Sequence, residues 1–364
     1  MKQGRTLVEW ASEIQRQQAA KIDYIAASDA IEVRAVGANA MSMSVRGGGV
    51  FPVRDTAHAL LAGALDIPSK YYRKMLADAP SLLAANVNTW LGSFRQDFGA
   101  DVKRSQKMVR LLDGGVRAVL SGRYRRIDNY DLAQATLPVF ADFKQQHGND
   151  ALTIQSAELT PERCYIKASY SHLTGEVKKG DIVSAGVEIR NSEIGYSRAE
   201  IRPMLFRLIC LNGATMNEFG TRATHVGRAA QETDEAYQFY SAETLNVDDR
   251  AFWMKFQDTL RGTLTEVMFA RMLDRARAAA DRAITVAPNI AVERLAQRNA
   301  LSEEETGGIL GALTSGMDLS AWGLTNAVTR FSQDVQDYGR ATELEGLGGR
   351  ILTLSPQEWS AVAA

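Results

Sequence analysis

Two cysteines in 364 residues leave nothing from which to build a disulfide framework, and no CxxC pair suggests a metal site. Cys164 and Cys210 sit in strand-like apolar company and read as reduced core thiols. Charge of one sign is missing too. Lys and Arg number 42 against 43 Asp and Glu, so attraction to phosphate must come from a local patch, not from the whole molecule. No apolar run approaches the ~18 residues that suggest a membrane span. The opening segment MKQGRTLVEWASEIQRQQ is polar and amphipathic, without the apolar stretch of a secretory signal. These absences predict a protein of the cytoplasm, the host's if phage-encoded, with no membrane partner.

Chemical signatures are equally sparse. There is no GxxxxGK[ST] and no GxGxxG behind a strand, and Gly47-Gly48-Gly49 lacks the helix and lysine of a phosphate loop. The four histidines, His58, His147, His172 and His225, stand alone, none with a partner at metal-ligand spacing. Asp128, Glu188, Glu193 and Glu200 are scattered, so a metal-dependent nuclease requires carboxylates brought together by the fold. No cofactor is indicated, and the reading favours binding over catalysis.

What is present is a folded chain, 45% hydrophobic and 23% charged, longer than one typical domain. Helical spacing marks Leu7, Trp10, Ala11 and Ile14, then two short helices around the break at Ile67-Pro68. That pair resembles a helix-turn-helix in outline. It offers only Lys70, Arg73 and Lys74 for reading DNA, so a packing unit is the simpler account. Strands are expected at 116–121, 153–158, 164–170, 184–190 and 199–211, with a helix from Tyr130 to Gln146. In 164–170, Cys164, Ile166, Ala168 and Tyr170 share one face and Tyr165 and Lys167 the other, the pattern of a half-exposed strand. The last strand is apolar on both faces, which suggests a central position. Beyond Ala230 the texture is helical, and Ser302 followed by three glutamates reads as a capped helix start. The expectation is an α+β fold, with a central antiparallel sheet, flanking helices and a helical C-terminal lobe. Its parts are a helical and irregular segment at 1–110, an α+β core with a basic hairpin at 111–230 and the lobe at 231–364.

Basic residues concentrate in two places. Residues 103–126 hold Lys103, Arg104, Lys107, Arg110, Arg117, Arg123, Arg125 and Arg126, with Tyr124 inside the run. Guanidinium groups interleaved with an aromatic ring suit a single-strand groove, neutralising phosphates while the ring stacks on a base. A solvated basic face paired with acids of the C-terminal helices is the plainer alternative. A second set, Arg190, Arg198, Arg202, Arg207, Arg222 and Arg228 with His225, flanks the hairpin and the loop after it.

Several segments resemble blocks of one family. They are Lys21-Ile22-Asp23-Tyr24, Leu65-Asp66-Ile67-Pro68-Ser69-Lys70-Tyr71-Tyr72 and Ala118-Val119-Leu120-Ser121-Gly122-Arg123-Tyr124-Arg125. Phe206-Arg207-Leu208-Ile209-Cys210-Leu211-Asn212 and Trp322-Gly323-Leu324-Thr325-Asn326-Ala327-Val328-Thr329 complete the set, so the likeness spans nearly the whole chain. It is to phage/plasmid-like proteins catalogued as a domain of unknown function. Where those proteins carry His-Asp-Gly after the hairpin Asn, this chain has Asn191-Ser192-Glu193-Ile194-Gly195, which speaks against a catalytic role for the position here. The resemblance implies work on DNA of a mobile element, and the outline is similar to phage single-strand annealing proteins.

The leading expectation is therefore a non-catalytic nucleic-acid-binding protein, its partner single-stranded DNA in replication or recombination. The site residues are Arg117, Arg123, Tyr124, Arg125, Arg126, Arg198, Arg207, Arg222, His225 and Arg228. Two alternatives stand beside it. One is a regulatory factor that binds a phage or host protein through Trp253, Phe256, Trp322 and Phe331; the other is the metal-dependent nuclease. A homo-oligomer remains open.

Overall fold

The computed structural model describes residues 2–92, 106–122, 124–208, 211–216, 221–223 and 242–364. Side-chain surroundings are not described at 221–223, 242, 245 and 246. The fold is α+β. Chain order is α1 (Leu7–Ala20), β1 (Lys21–Ala27), β2 (Ile31–Gly37), β3 (Ala40–Val45), β4 (Gly49–Pro52), α2 (Asp55–Ala64), α3 (Ser69–Asp78), α4 (Pro80–Gly92), β5 (Gln106–Leu112), β6 (Gly115–Ser121) and α5 (Asn129–His147). There follow β7 (Leu152–Leu159), β8 (Cys164–Lys178), β9 (Asp181–Asn191), β10 (Ala199–Arg207), β11 (Asn212–Thr215) and β12 (Thr221–Ala223). The C-terminal helices are α6 (Ala242–Thr263), α7 (Glu266–Ala280), α8 (Pro288–Asn299), α9 (Glu303–Gly316), α10 (Ala321–Phe331), α11 (Tyr338–Thr353) and α12 (Pro356–Ala363).

The central sheet is antiparallel in the order β11-β10-β9-β8-β7. β11 and β12 share the outer edge of β10, β11 opposite Met204–Arg207 and β12 opposite Ala199–Ile201. Alternation along the strands gives this sheet two unlike faces. One gathers Cys164, Ile166, Ala168 and Tyr170 with Val183, Ala185, Val187 and Ile189 into the larger core, where α1 contributes Trp10 and α5 Phe143. The other carries Lys167, Glu188 and Arg202, and α11 lies across it. Strand β8 is thus not half-exposed as its pattern predicts: Tyr165 and Lys167 are as buried as their apolar neighbours. The charge is tolerated there because Lys167 Nζ bonds Thr342 Oγ1 at 2.9 Å and pairs with Glu345, both on α11.

A second core joins the sheet β2-β3-β4 with α2, α3 and α4 and takes in Val109, Leu111, Val116 and Val119 from β5 and β6. The helical texture beyond Ala230 breaks at Leu264-Thr265, where Thr265 caps α7 by accepting from Met268 N. The chain after Arg207 also departs from a plain loop. Leu211 takes a left-handed φ of 51°, and Asn212–Thr215 turns back to pair with β10.

Candidate nucleic-acid interface

The turn between β9 and β10, residues 192–198, is where separate parts of the chain meet. Ser192 accepts from Tyr196 N at 3.0 Å and donates through Oγ to Glu162 O at 2.6 Å, which fixes the turn on the β7–β8 connection. Gly195 takes a φ of 88°, a left-handed conformation that favours glycine. The loop residue Tyr124 packs on this turn, its Oη donating to Ser192 O at 3.2 Å. From the other side Tyr196 Oη donates to Thr56 O at 3.4 Å, tying the turn to α2. Burial raises the pKa of the Tyr196 phenol and Glu162 adds to this, while Arg73 of α3 and Arg163 oppose it. Arg163 also donates to Tyr196 O at 3.3 Å. Arg198 is exposed on the turn itself, and Arg73, Lys70 and Lys74 are exposed on α3 beside an exposed Tyr71.

Beneath the turn lies a buried charge network. Arg110, fully enclosed, donates to Asp23 at 2.9 Å and Asp128 at 2.8 Å and to the Glu193 carbonyl at 2.8 Å. Lys21 reaches Asp128 at 2.8 Å and Glu193 at 3.3 Å, and Arg117 pairs with Glu193. Glu193 further accepts from Asn129 N at 2.7 Å, at the start of α5, where a negative group is favoured by the helix dipole. Three acids face three bases, so the network is balanced. It joins the small sheet β1-β5-β6 to the end of the central one.

These contacts sort the expected site residues. Arg117 is an internal partner of Glu193 and does not face solvent. The Tyr124 phenol is spent on Ser192, and burial raises its pKa, so the residue holds the loop. Arg125 donates to Asp249 at 3.1 Å and stacks over Phe252 at 4.5 Å, anchoring α6, as the alternative of pairing with C-terminal acids foresaw. Arg126 is exposed and meets the rim of the network at Asp23, 3.4 Å away. Arg207 sits at the far end of β10, about 27 Å from Ala199 at ~3.4 Å per residue. There it grips Asp181 at 2.6 Å, and Asp181 also accepts from Trp322 Nε1 at 2.8 Å. The backbone of Arg222 pairs opposite Glu200, beside the turn. Its side chain, together with Arg123, His225, Arg228, Lys103, Arg104 and Cys210, lies outside the described residues. Arg126, Arg198 and the backbone of Arg222 are thus gathered at one end of the sheet, and Arg207 is not.

Sequence reasoning did not connect Arg73 and Arg163 with this end. Arg73 lies on a helix assigned to another part of the chain, and Arg163 on the short connection between β7 and β8, where basic character was the only signal. Of the aromatic residues proposed to bind a protein partner, Phe256 and Trp322 belong to the larger core, and Trp253 and Phe331 pack against it. Among the described residues no group of three or more His, Cys, Asp or Glu is arranged to hold a metal ion, and no helix is long and apolar enough to cross a membrane. Comparison with family models, curated proteins and solved structures returns no match, so the likeness to phage/plasmid-like proteins rests on the five sequence blocks alone.

Proposed function

We propose that the protein binds nucleic acid, single-stranded DNA foremost, over the surface around the β9–β10 turn, and serves replication or recombination of a mobile element without catalysing a reaction. One observation supports this above the others. Arg163 bonds the turn that carries Arg198, and Arg126, from a segment far away in sequence, meets the network beneath that turn at Asp23. The exposed Arg126 and Arg198, with the half-buried Arg163, supply phosphate neutralisation at this end of the sheet, and the exposed Tyr71 beside Lys70 offers a ring for stacking. With a net charge of −1 the whole molecule adds no attraction, so affinity depends on this patch and falls steeply with salt.

The test is binding of labelled single- and double-stranded oligonucleotides across a salt series. Arg126→Ala and Arg198→Ala should each flatten the slope of log affinity against log salt by roughly 0.7 on single strands, one phosphate contact apiece. Arg125 is unsuited to the test because it anchors α6. Absence of binding at low salt removes the proposal.

A further inference from the structure

Beside α11, the charged face of the central sheet opens into a cleft of about 250 Å³, lined by Arg190, Arg202, Arg340 and Arg350, with Leu344 and Leu347 as an apolar wall. Like charges repel, so four guanidinium groups around one small space need an explanation. Three have carboxylates: Arg190 pairs with Glu200 at 2.7 Å, Arg202 with Glu188 at 2.9 Å and Arg340 with Glu305 at 2.6 Å. Those three acids are not on the lining; Glu343 is the one acid on it, and it also pairs with Arg340 at 3.1 Å. Arg350 donates to a neutral amide oxygen, that of Asn299 at 3.2 Å, and is exposed. Four guanidinium-bearing residues thus share the lining with a single carboxylate, which leaves the cleft with an excess of positive charge.

The helix is built to present this arrangement. Arg340, Leu344, Leu347 and Arg350 recur at intervals of three and four and so share one face of α11. Gly346 lies on the same lining, and a Cβ there would come within 3.0 Å of the Arg202 guanidinium. Glycine gives that group its place against the helix.

We propose that this cleft binds a phosphate monoester with a small organic group, the phosphate held by Arg350 with Arg190 and Arg340, the organic part resting on Leu344 and Leu347. Planar guanidinium forks match phosphate oxygens two at a time, which makes a phosphate the fitting anion for several arginines. The volume sets the size of the occupant. It falls below the roughly 300–1,000 Å³ of sites that enclose drug-sized ligands, so a pentose phosphate fits where a dinucleotide does not.

Isothermal titration of the full chain in chloride buffer at fixed ionic strength, with inorganic phosphate and with ribose 5-phosphate, tests the assignment. Both should bind saturably, the sugar phosphate more tightly, and Arg350→Ala should weaken both roughly tenfold, the loss of one charge-assisted hydrogen bond. Because Arg350 is exposed, the variant should fold. Raised thermal stability of the unaltered protein with added phosphate, beyond that with equal chloride, gives a reading that needs no variant. No saturable heat and no thermal shift, or equal affinity in Arg350→Ala, overturns the proposal. Arg126→Ala and Arg198→Ala should leave phosphate binding unchanged, which keeps this site's test apart from that of the polynucleotide surface.

Discussion

Lys167 and Glu345 are both fully enclosed between the central sheet and α11. Burial works against the Lys167 ammonium, yet Glu345, Tyr338 and Glu188 hold its pKa above the ordinary value, so it stays charged. Replacing Lys167 alone by Met leaves an uncompensated carboxylate inside the protein and should cost about 3–5 kcal/mol. Replacing both, as Lys167→Met with Glu345→Leu, should restore most of that loss. Urea unfolding of the two variants checks this; equal losses would mean that the pair is not coupled. Asp128 supplies the second case at this scale. Burial alone would push its pKa up, but Arg110 and Lys21 outweigh it and hold the carboxylate at about 2. A depressed folded-state pKa stabilises at pH above the unfolded value of roughly 3.9 and loses that contribution as pH falls through the folded one. Unfolding midpoints should therefore drop between about pH 4 and 2, and Asp128→Asn should remove about 2 kcal/mol of that dependence. An unchanged acid limb in Asp128→Asn would show that other carboxylates set it. Lys167 and Asp128 were both noticed in the sequence, but their pairings with Glu345 and Arg110 were not, because ion pairs between residues 178 or 18 positions apart leave no local pattern.

Elements with regular apolar spacing were legible: α1, α2, α3, α5 and strands β6 to β10 follow their periodicity. The missed elements share physical reasons. Strand β5 carries Arg110 inward, and a charge in the core breaks the alternation on which strand reading depends. Helix α11 contains Gly346, Gly348 and Gly349, each about 1 kcal/mol less favourable than Ala in a helix interior. Tertiary fit overrides that propensity. A Cβ at 349 would overlap the Thr215 carbonyl on β11, so the glycine permits the close approach of helix to sheet. Gly349→Ala should therefore lower stability by about 1–3 kcal/mol through displacement of α11, despite alanine's better helix propensity. A thermal melt equal to or above that of the unaltered protein would contradict this account of the packing.

For the molecule as a whole, the α+β class was readable from the switch between period-two and helical patterns. Three-dimensional charge matching was not. Arg110 and Arg117 of the basic run turn inward, where they bind Asp23, Asp128 and Glu193. Positive residues counted along the chain therefore overstate the positive surface. What remains outside is the smaller set around residues 192–198, and the proposed activity depends on it. The most direct measurement compares the salt dependence of single-strand binding for Arg198→Ala with that for Lys179→Ala, an exposed lysine on the hairpin at the opposite end of the sheet. The account predicts a shallower slope for Arg198→Ala and an unchanged one for Lys179→Ala. Equal slopes in both variants and the unaltered protein would contradict it.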